Sequence, residues 1–221
     1  GGDLFNFITI KDKTYAYIGD VTGHGAAAGV IMFMVNVLIT VFSETCKNSY
    51  EILVNVNKHL KKYVKKSMYM TLVMISFDSK TKKFSYTGAG HEHILVYRAA
   101  TGQCEAIISG GIALGMLADN SKIIKEKEIE LENGDFIALY SDGITECRND
   151  KDELFGLERL KASLSEHGQT YDALGVHFHV AKDVSEFMKN QPQLDDMTLI
   201  ILKRDDNLVV DNKESAKTIK W

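Results

Sequence analysis

The sequence predicts an α+β sandwich, with antiparallel sheets covered by helices. Many short strands follow one another through hairpin turns, the helices come in pairs, and no βαβ alternation suggests a parallel sheet. Residues 4–10 (LFNFITI) and 14–19 (TYAYIG) are β-branched and aromatic runs joined by the polar turn Lys11-Asp12-Lys13, which reads as a hairpin. A helix is expected over residues 26–45. A second, amphipathic one is expected over 50–64, with Ile52, Leu53, Val56, Leu60 and Val64 on one stripe. Strands follow at 70–77, 83–87, 93–97 and 103–107, with Asp78-Ser79 and Thr101-Gly102 as hairpin ends. Strands at 121–131 and 136–141 flank the turn Glu132-Asn133-Gly134-Asp135. Helices over 154–166 and 171–188 precede a closing strand at 197–202.

Composition bounds the function. A chain of 221 residues, 45% hydrophobic and 25% charged, fits one globular domain able to bury a core without staples. The domain is expected to span residues 1–204, followed from 205 to 221 by a polar tail that is disordered or foreign to the domain. The formal charge of −4 and the shortness of basic runs such as Lys61-Lys62 and Lys65-Lys66, which read as a solvated helix face, argue against nucleic acid as a partner. Cys46, Cys104 and Cys147 are scattered and far from any zinc spacing, so they read as reduced residues of a cytoplasmic protein. No secretory signal opens the chain, which starts at Gly1 and reads as part of something longer. Residues 25–42 are apolar except for Asn36 and Thr40, close to the lower limit of a membrane span. The small residues of the first turns, Asp20 and His24 just ahead and the missing basic flank favour a buried core helix instead, so no span is expected here.

The acids are the informative residues. Asp3 comes just before the first strand and Asp20 just after the second, so the hairpin brings them to the same end. Asp142 directly follows the strand at 136–141, and Asp195-Asp196 directly precede the last strand. In an antiparallel sheet all of them can share one sheet end. Any one alone is an ordinary turn residue, as Asp142-Gly143 illustrates. Their glycine-rich settings shift the balance, because glycine lets backbone approach a bound ion or phosphate closely. Packed carboxylates repel and raise each other's pKa. Mg²⁺ and Mn²⁺ relieve that conflict, and two such ions suit hydrolysis of a phosphoester.

Four motifs carry a family resemblance: Gly1-Gly2-Asp3, Gly19-Asp20-Val21-Thr22-Gly23-His24-Gly25, Tyr140-Ser141-Asp142-Gly143-Ile144-Thr145-Glu146 and Asp195-Asp196-Met197-Thr198. In this order they resemble the SpoIIE-like serine phosphatases, the bacterial branch of the metal-dependent type 2C (PPM) protein phosphatases. Gly88-Ala89-Gly90-His91, Leu114-Gly115, Gly134-Asp135 and residues 154–160 are softer matches. The resemblance implies a four-layer α-β-β-α sandwich of two mainly antiparallel sheets, holding two divalent cations, Mn²⁺ or Mg²⁺, at one end. It implies Asp20 as the bridging, catalytically central ligand and Val21 as a carbonyl ligand. Asp142 and Asp195 would complete one metal site, and Asp3 would act directly or through water. Asp195 is chosen over Asp196 because the first acid of the final motif is the usual ligand. Asn6, His24, Gly143 and Asp196 are expected just outside the ligands. The implied reaction is attack of a metal-activated water on phosphoserine or phosphothreonine without a phosphoenzyme, in a small STAS-type anti-sigma-factor antagonist. A regulatory partner, an upstream sensor domain (membrane-anchored in some architectures) and a homodimer are further implications. Two positions depart from the pattern. Asn6 stands where a second acid usually follows the first motif, and Gly88 stands where Asn is commoner. The strand that normally precedes the first motif is absent, so an edge strand is expected to be missing.

Other motifs compete weakly. His91-Glu92-His93 begins a strand and His177-Phe178-His179 lies in a helix, and both read as structural rather than as metal ligands. The loop from Gly110 to Met116 matches no phosphate-binding fingerprint and is expected to be mobile near the substrate surface. No Gly-x-Ser-x-Gly elbow is present. A phosphatase-fold module with weak catalysis that acts by binding partners is the alternative; the intact set Asp3, Asp20, Asp142 and Asp195 argues against it.

Overall fold

The computed structural model describes residues 2–64 and 67–206, so Gly1, Lys65, Lys66 and most of the expected tail lie outside the described residues. Strands β1 (Asp3–Ile10) and β2 (Lys13–Val21) form the expected hairpin, followed by helices α1 (Ala26–Thr45) and α2 (Ser49–Leu60). Six strands come next: β3 (Met70–Asp78), β4 (Lys83–Ala89), β5 (Ile94–Arg98), β6 (Gln103–Ile107), β7 (Glu126–Ile129) and β8 (Phe136–Tyr140). A short helix α3 (Asp142–Glu146), helices α4 (Gly156–Gly168) and α5 (Ala173–Met188), and strand β9 (Leu199–Lys203) complete the order.

The strands form two antiparallel sheets, ordered β1-β2-β3-β4-β7 and β6-β5-β8-β9. Ile18, Val73, Ile75, Val96, Ile137 and Leu139 fill the space between them. The outer face of the first sheet packs Tyr17, Leu72 and Met74 against Ile31, Val35 and Ile39 of α1 and Ile52, Leu53 and Val56 of α2. The outer face of the second packs Tyr97, Phe136 and Ala138 against Leu160, Leu164, Val176 and Val180 of α4 and α5. The result is the four-layer α-β-β-α sandwich. Each fully buried aliphatic side chain in these layers contributes about 1.5–3 kcal/mol. Local signals agree with the packing. Asn48 caps α2 by accepting from Glu51 N–H at 3.0 Å, while Glu51 accepts from Lys47 N–H at 2.9 Å. Asp172 caps α5 by accepting from Gly175 N–H.

Several expectations change. The acids do not share one sheet end: β1 and β2 belong to one sheet and β8 and β9 to the other, so the ends of two facing sheets supply them. Helix α1 is not a buried core helix. It has the length and apolar composition of a membrane span, yet it lies on the outside of the first sheet with one face packed. Val30, Phe33, Val37 and Val41 remain 58%, 69%, 41% and 52% exposed along the other. Helix α2 stops at Leu60 and gives way to turns, and Lys61 Nζ reaches the carbonyls of Gly115 and Met116 instead of standing in solvent. Residues 121–125 are not strand, because Asn120 O accepts from Ile123 and Ile124 N–H in a turn. The glycine loop 110–116 is pinned rather than loose: Leu114 is buried and exchanges backbone hydrogen bonds of 2.7 and 3.0 Å with Met70. His91-Glu92-His93 lies in the link between β4 and β5, ahead of the strand.

Candidate functional site

Hairpin register places Asp3 directly opposite Asp20. Both belong to the first sheet, and β8 and β9 of the second bring Ser141-Asp142 and Asp195-Asp196 to the same place. Several links hold the two sheet ends together. Thr198 Oγ1 donates to Asp3 Oδ2 at 2.6 Å, and Asp3 N–H approaches Asp196 Oδ2 at 3.4 Å. Ser141 Oγ accepts from Thr198 N–H at 3.0 Å and donates to Asp196 O at 3.2 Å. Thr198 and Ser141 lie inside the motifs named above, yet nothing in their spacing marked them as partners of the acids.

Two glycines are required by closeness. A Cβ on Gly143 would collide with Asp196 O, so only glycine lets α3 begin against the segment before β9. A Cβ on Gly2 would stand 2.5 Å from Asp20 Oδ1 and 3.0 Å from Val21 O. Those two oxygens therefore converge on a space that any larger residue would fill.

Electrostatics separates these acids from ordinary surface carboxylates. Burial, with the charges of Asp3, Asp142 and Asp195 added, pushes Asp20 up to about 6. Asp3 is raised by burial, against the hydrogen bonds of Thr198 and Ser141, with Asp196 and Asp142 adding to the rise. Asp142 is raised by burial and then by Asp195. Glu92, which sequence reasoning passed over, is also raised, by desolvation and then by Asp142, so it belongs to the same negative field.

The donors are all hard oxygens, which suits Mg²⁺ or Mn²⁺ and not a soft transition metal. Among the described residues, no three Asp, Glu, His or Cys side chains already stand close enough around one point to hold an ion. A local partner accounts for part of this: Asp195 Oδ1 accepts from Asp196 N–H at 2.8 Å. The residues fit a divalent cation in donor type, in mutual repulsion and in the Gly2 space. Binding would require the carboxylates to re-aim.

Not every expected neighbour joins the cluster. Asn6 lies three residues along the strand from Asp3, hence on the opposite face, and donates from Nδ2 to Asn36 Oδ1 of α1 at 3.0 Å. His24 is exposed in the link from β2 to α1, between Gly23 and Gly25, both at positive φ. His167 Nε2 is 2.8 Å from Asp183 Oδ2, and its ring stacks on His179 at 5.0 Å on α4 and α5; the His177-Phe178-His179 run is thus built into a helix pair.

Comparison with known proteins follows the same lines. The family profile described as Stage II sporulation protein E (SpoIIE) matches residues 11–205. Phosphoserine phosphatase RsbU of Bacillus subtilis (strain 168) is 29% identical over 213 residues, 92% of this chain and 59% of RsbU. The chain thus spans little more than half of that relative's length. The SiaA-PP2C domain of Pseudomonas aeruginosa superposes with a TM-score of 0.78 at 17% identity, covering 93% of this chain and 80% of that one. RsbX, solved in complex with magnesium, superposes with a TM-score of 0.64 at 14% identity over 90% of this chain and 85% of its own. Both structural likenesses are likenesses of fold.

Proposed function

The chain belongs to the stage II sporulation protein E (SpoIIE) family, and on that premise we propose that it is a metal-dependent protein phosphatase acting on phosphoserine or phosphothreonine of a signalling protein. One observation carries the reading. Asp3, Asp20, Asp142 and Asp195, remote in sequence, act on one another electrostatically at the facing ends of two sheets, and Asp20 is pushed up to about 6. A fold has no structural need for such a cluster. A site for divalent cations does.

Asp20, Val21 O, Asp142 and Asp195 would hold divalent cations, Mn²⁺ or Mg²⁺, with Asp20 as the central ligand and Asp3 acting directly or through water. Bound there, the cations would supply a strong nucleophile from water at neutral pH and neutralise charge developing on the phosphoryl group. The chain's own contribution is positioning. Gly2 and Gly143 keep the backbone close, and Thr198 and Ser141 orient Asp3 and the segment before β9. The magnesium held by RsbX supports the ion class, and the name of RsbU supports phosphoserine as substrate. A STAS-type anti-sigma-factor antagonist fits as the phosphoprotein, with a regulatory partner, an upstream sensor domain or a second copy controlling the site. The three free cysteines suit a cytoplasmic setting.

The test is turnover of an aryl phosphate and a phosphoserine peptide by chelator-stripped protein, with and without added Mn²⁺. Activity should appear only with the ion and vanish in Asp20→Asn. Turnover that persists in chelator, or is unchanged in that variant, overturns the proposal.

A further inference from the structure

A second hydrogen-bonded link crosses between the sheets at the acids, and it runs through His91. The imidazole Nδ1 lies 3.0 Å from Thr71 Oγ1, and Nε2 lies 3.1 Å from Tyr140 O. Both ends matter. Thr71 is the cross-strand partner of Asp20, while Tyr140 ends β8, two residues before Asp142. The ring therefore spans from the strand paired with Asp20 to the carbonyl that leads into Asp142.

Its chemistry is fixed by its partners. A carbonyl only accepts, so Nε2 must carry the proton. Burial keeps the imidazole neutral by pushing it down to about 4, which leaves Nδ1 as an acceptor. The single hydroxyl proton of Thr71 then goes to Nδ1, at 3.0 Å, rather than to Asp20 O at 3.3 Å. The backbone around His91 is tied down as well. Ser109 Oγ donates to His91 O, and Gly90, at φ 72°, donates its N–H to Gly110 O at 2.9 Å. The pinned glycine loop thus buttresses the histidine.

We propose that His91 is a positioning residue, a neutral crossbar between Thr71 and Tyr140 that sets the separation of Asp20 and Asp142 and so the affinity for divalent cations. This rests on the proposed function above. A histidine present only to fill space would be replaced without loss by an apolar side chain of similar size. A crossbar needs an acceptor at one end and a donor at the other.

The experiment uses the full chain, stripped of metal, with Mn²⁺ binding read by calorimetry and by thermal shift before kcat and KM are measured. His91→Leu fills the volume without polar ends, and its half-saturating Mn²⁺ concentration should rise by roughly 10–100-fold, the usual penalty for losing a group that orients a ligand. His91→Gln offers an amide N–H to Tyr140 O and a carbonyl to Thr71, and it should recover most of the loss. Thr71→Val deletes only the hydroxyl from a half-buried position and remains measurable if His91→Leu folds poorly. It should weaken Mn²⁺ in the same direction, and the double variant should bind no more weakly than His91→Leu alone. Unchanged Mn²⁺ binding in His91→Leu or in Thr71→Val, equal losses in His91→Leu and His91→Gln, or additive effects of the Thr71 and His91 changes overturn the crossbar alone, provided the wild type still responds to Mn²⁺. A wild type that binds no Mn²⁺ and turns over nothing overturns the function and the crossbar together.

Discussion

Replacing Asp20 by asparagine should stabilise the metal-free protein while abolishing its response to Mn²⁺. Asp20 is raised from 3.8 to about 6 in the folded chain. A carboxyl whose folded pKa lies above its unfolded value binds more protons folded than unfolded between those two values. Stability is therefore lost as pH rises through that window, from about 4 to about 6, and the full penalty is present above it. At face value a shift of about two units corresponds to ~3 kcal/mol. Asp20 is only half-buried and part of its rise comes from neighbouring charges that solvent and salt screen, so ~1 kcal/mol is the appropriate expectation. For a domain of this size that is a rise in Tm of about 2–4 °C.

The assay is thermal unfolding of wild type and Asp20→Asn in chelator, from pH 4 to pH 8. The curves should coincide near pH 4 and separate above pH 6, with the variant more stable, and 0.5 M salt should narrow the gap. Saturating Mn²⁺ should reverse the order by stabilising only the wild type. A variant less stable than wild type at pH 8 without metal would refute the reasoning, because Asp20 would then be held by partners rather than strained by neighbours.

Gly143→Ala should cost about 1–3 kcal/mol in denaturant unfolding and most of the activity, since the new Cβ meets the Asp196 carbonyl rather than a flexible side chain. Thr198→Val deletes the 2.6 Å donor to Asp3 and should destabilise by about 1 kcal/mol while raising the Mn²⁺ needed for half-maximal turnover by roughly 10-fold. On α1, Phe33→Glu should stay within about 0.5 kcal/mol of wild type, because Phe33 is largely exposed. Fully buried Ile39→Ala on the same helix should lose about 2–5 kcal/mol in the same unfolding series.

The hairpin and its acids were legible from strand periodicity and the polar turn, but the exact register was not: the turn is the two residues Lys11-Asp12, so Ile10 pairs with Lys13 and Asp3 falls opposite Asp20. Asn6 was misplaced beside the acids by the motif, although its odd offset from Asp3 along the strand turns it to the other face, toward α1 and Asn36. Which sheet each strand joins was not legible. The chain leaves the first sheet after β4, returns to it for β7 and leaves again, and no local pattern records those crossings. Helix α3 was hidden because Asp142-Gly143 reads as a turn, whereas the close approach of Asp196 O that demands glycine is a tertiary fact. The sidedness of α1 was hidden because apolar residues on both faces carry no period, so burial could not be told from exposure. His91 stood out only as part of a motif, because its role depends on the ends of β3 and β8 facing each other.

Aspartates at strand ends come in two physical kinds here, and the distinction bears on the function more directly than any motif. Asp78 ends β3 and accepts from the N–H groups of Lys80 and Thr81, and Asp119, in the loop ahead of β7, accepts from Ser121 N–H. Backbone donors lower both carboxyls below the usual range. These are turn-making acids, and their charge helps the fold above the unfolded pKa, a contribution lost as pH falls. Asp3, Asp20 and Asp142 sit at equivalent strand ends but are raised, because desolvation and one another's charge outweigh their donors. Turn formation cannot explain a carboxylate that the fold disfavours when ionised. Asp78→Asn and Asp20→Asn should therefore move the stability of the metal-free protein in opposite directions at pH 8. If both destabilise, the acids between the sheets are ordinary structural residues and the case for a cation site loses its physical basis.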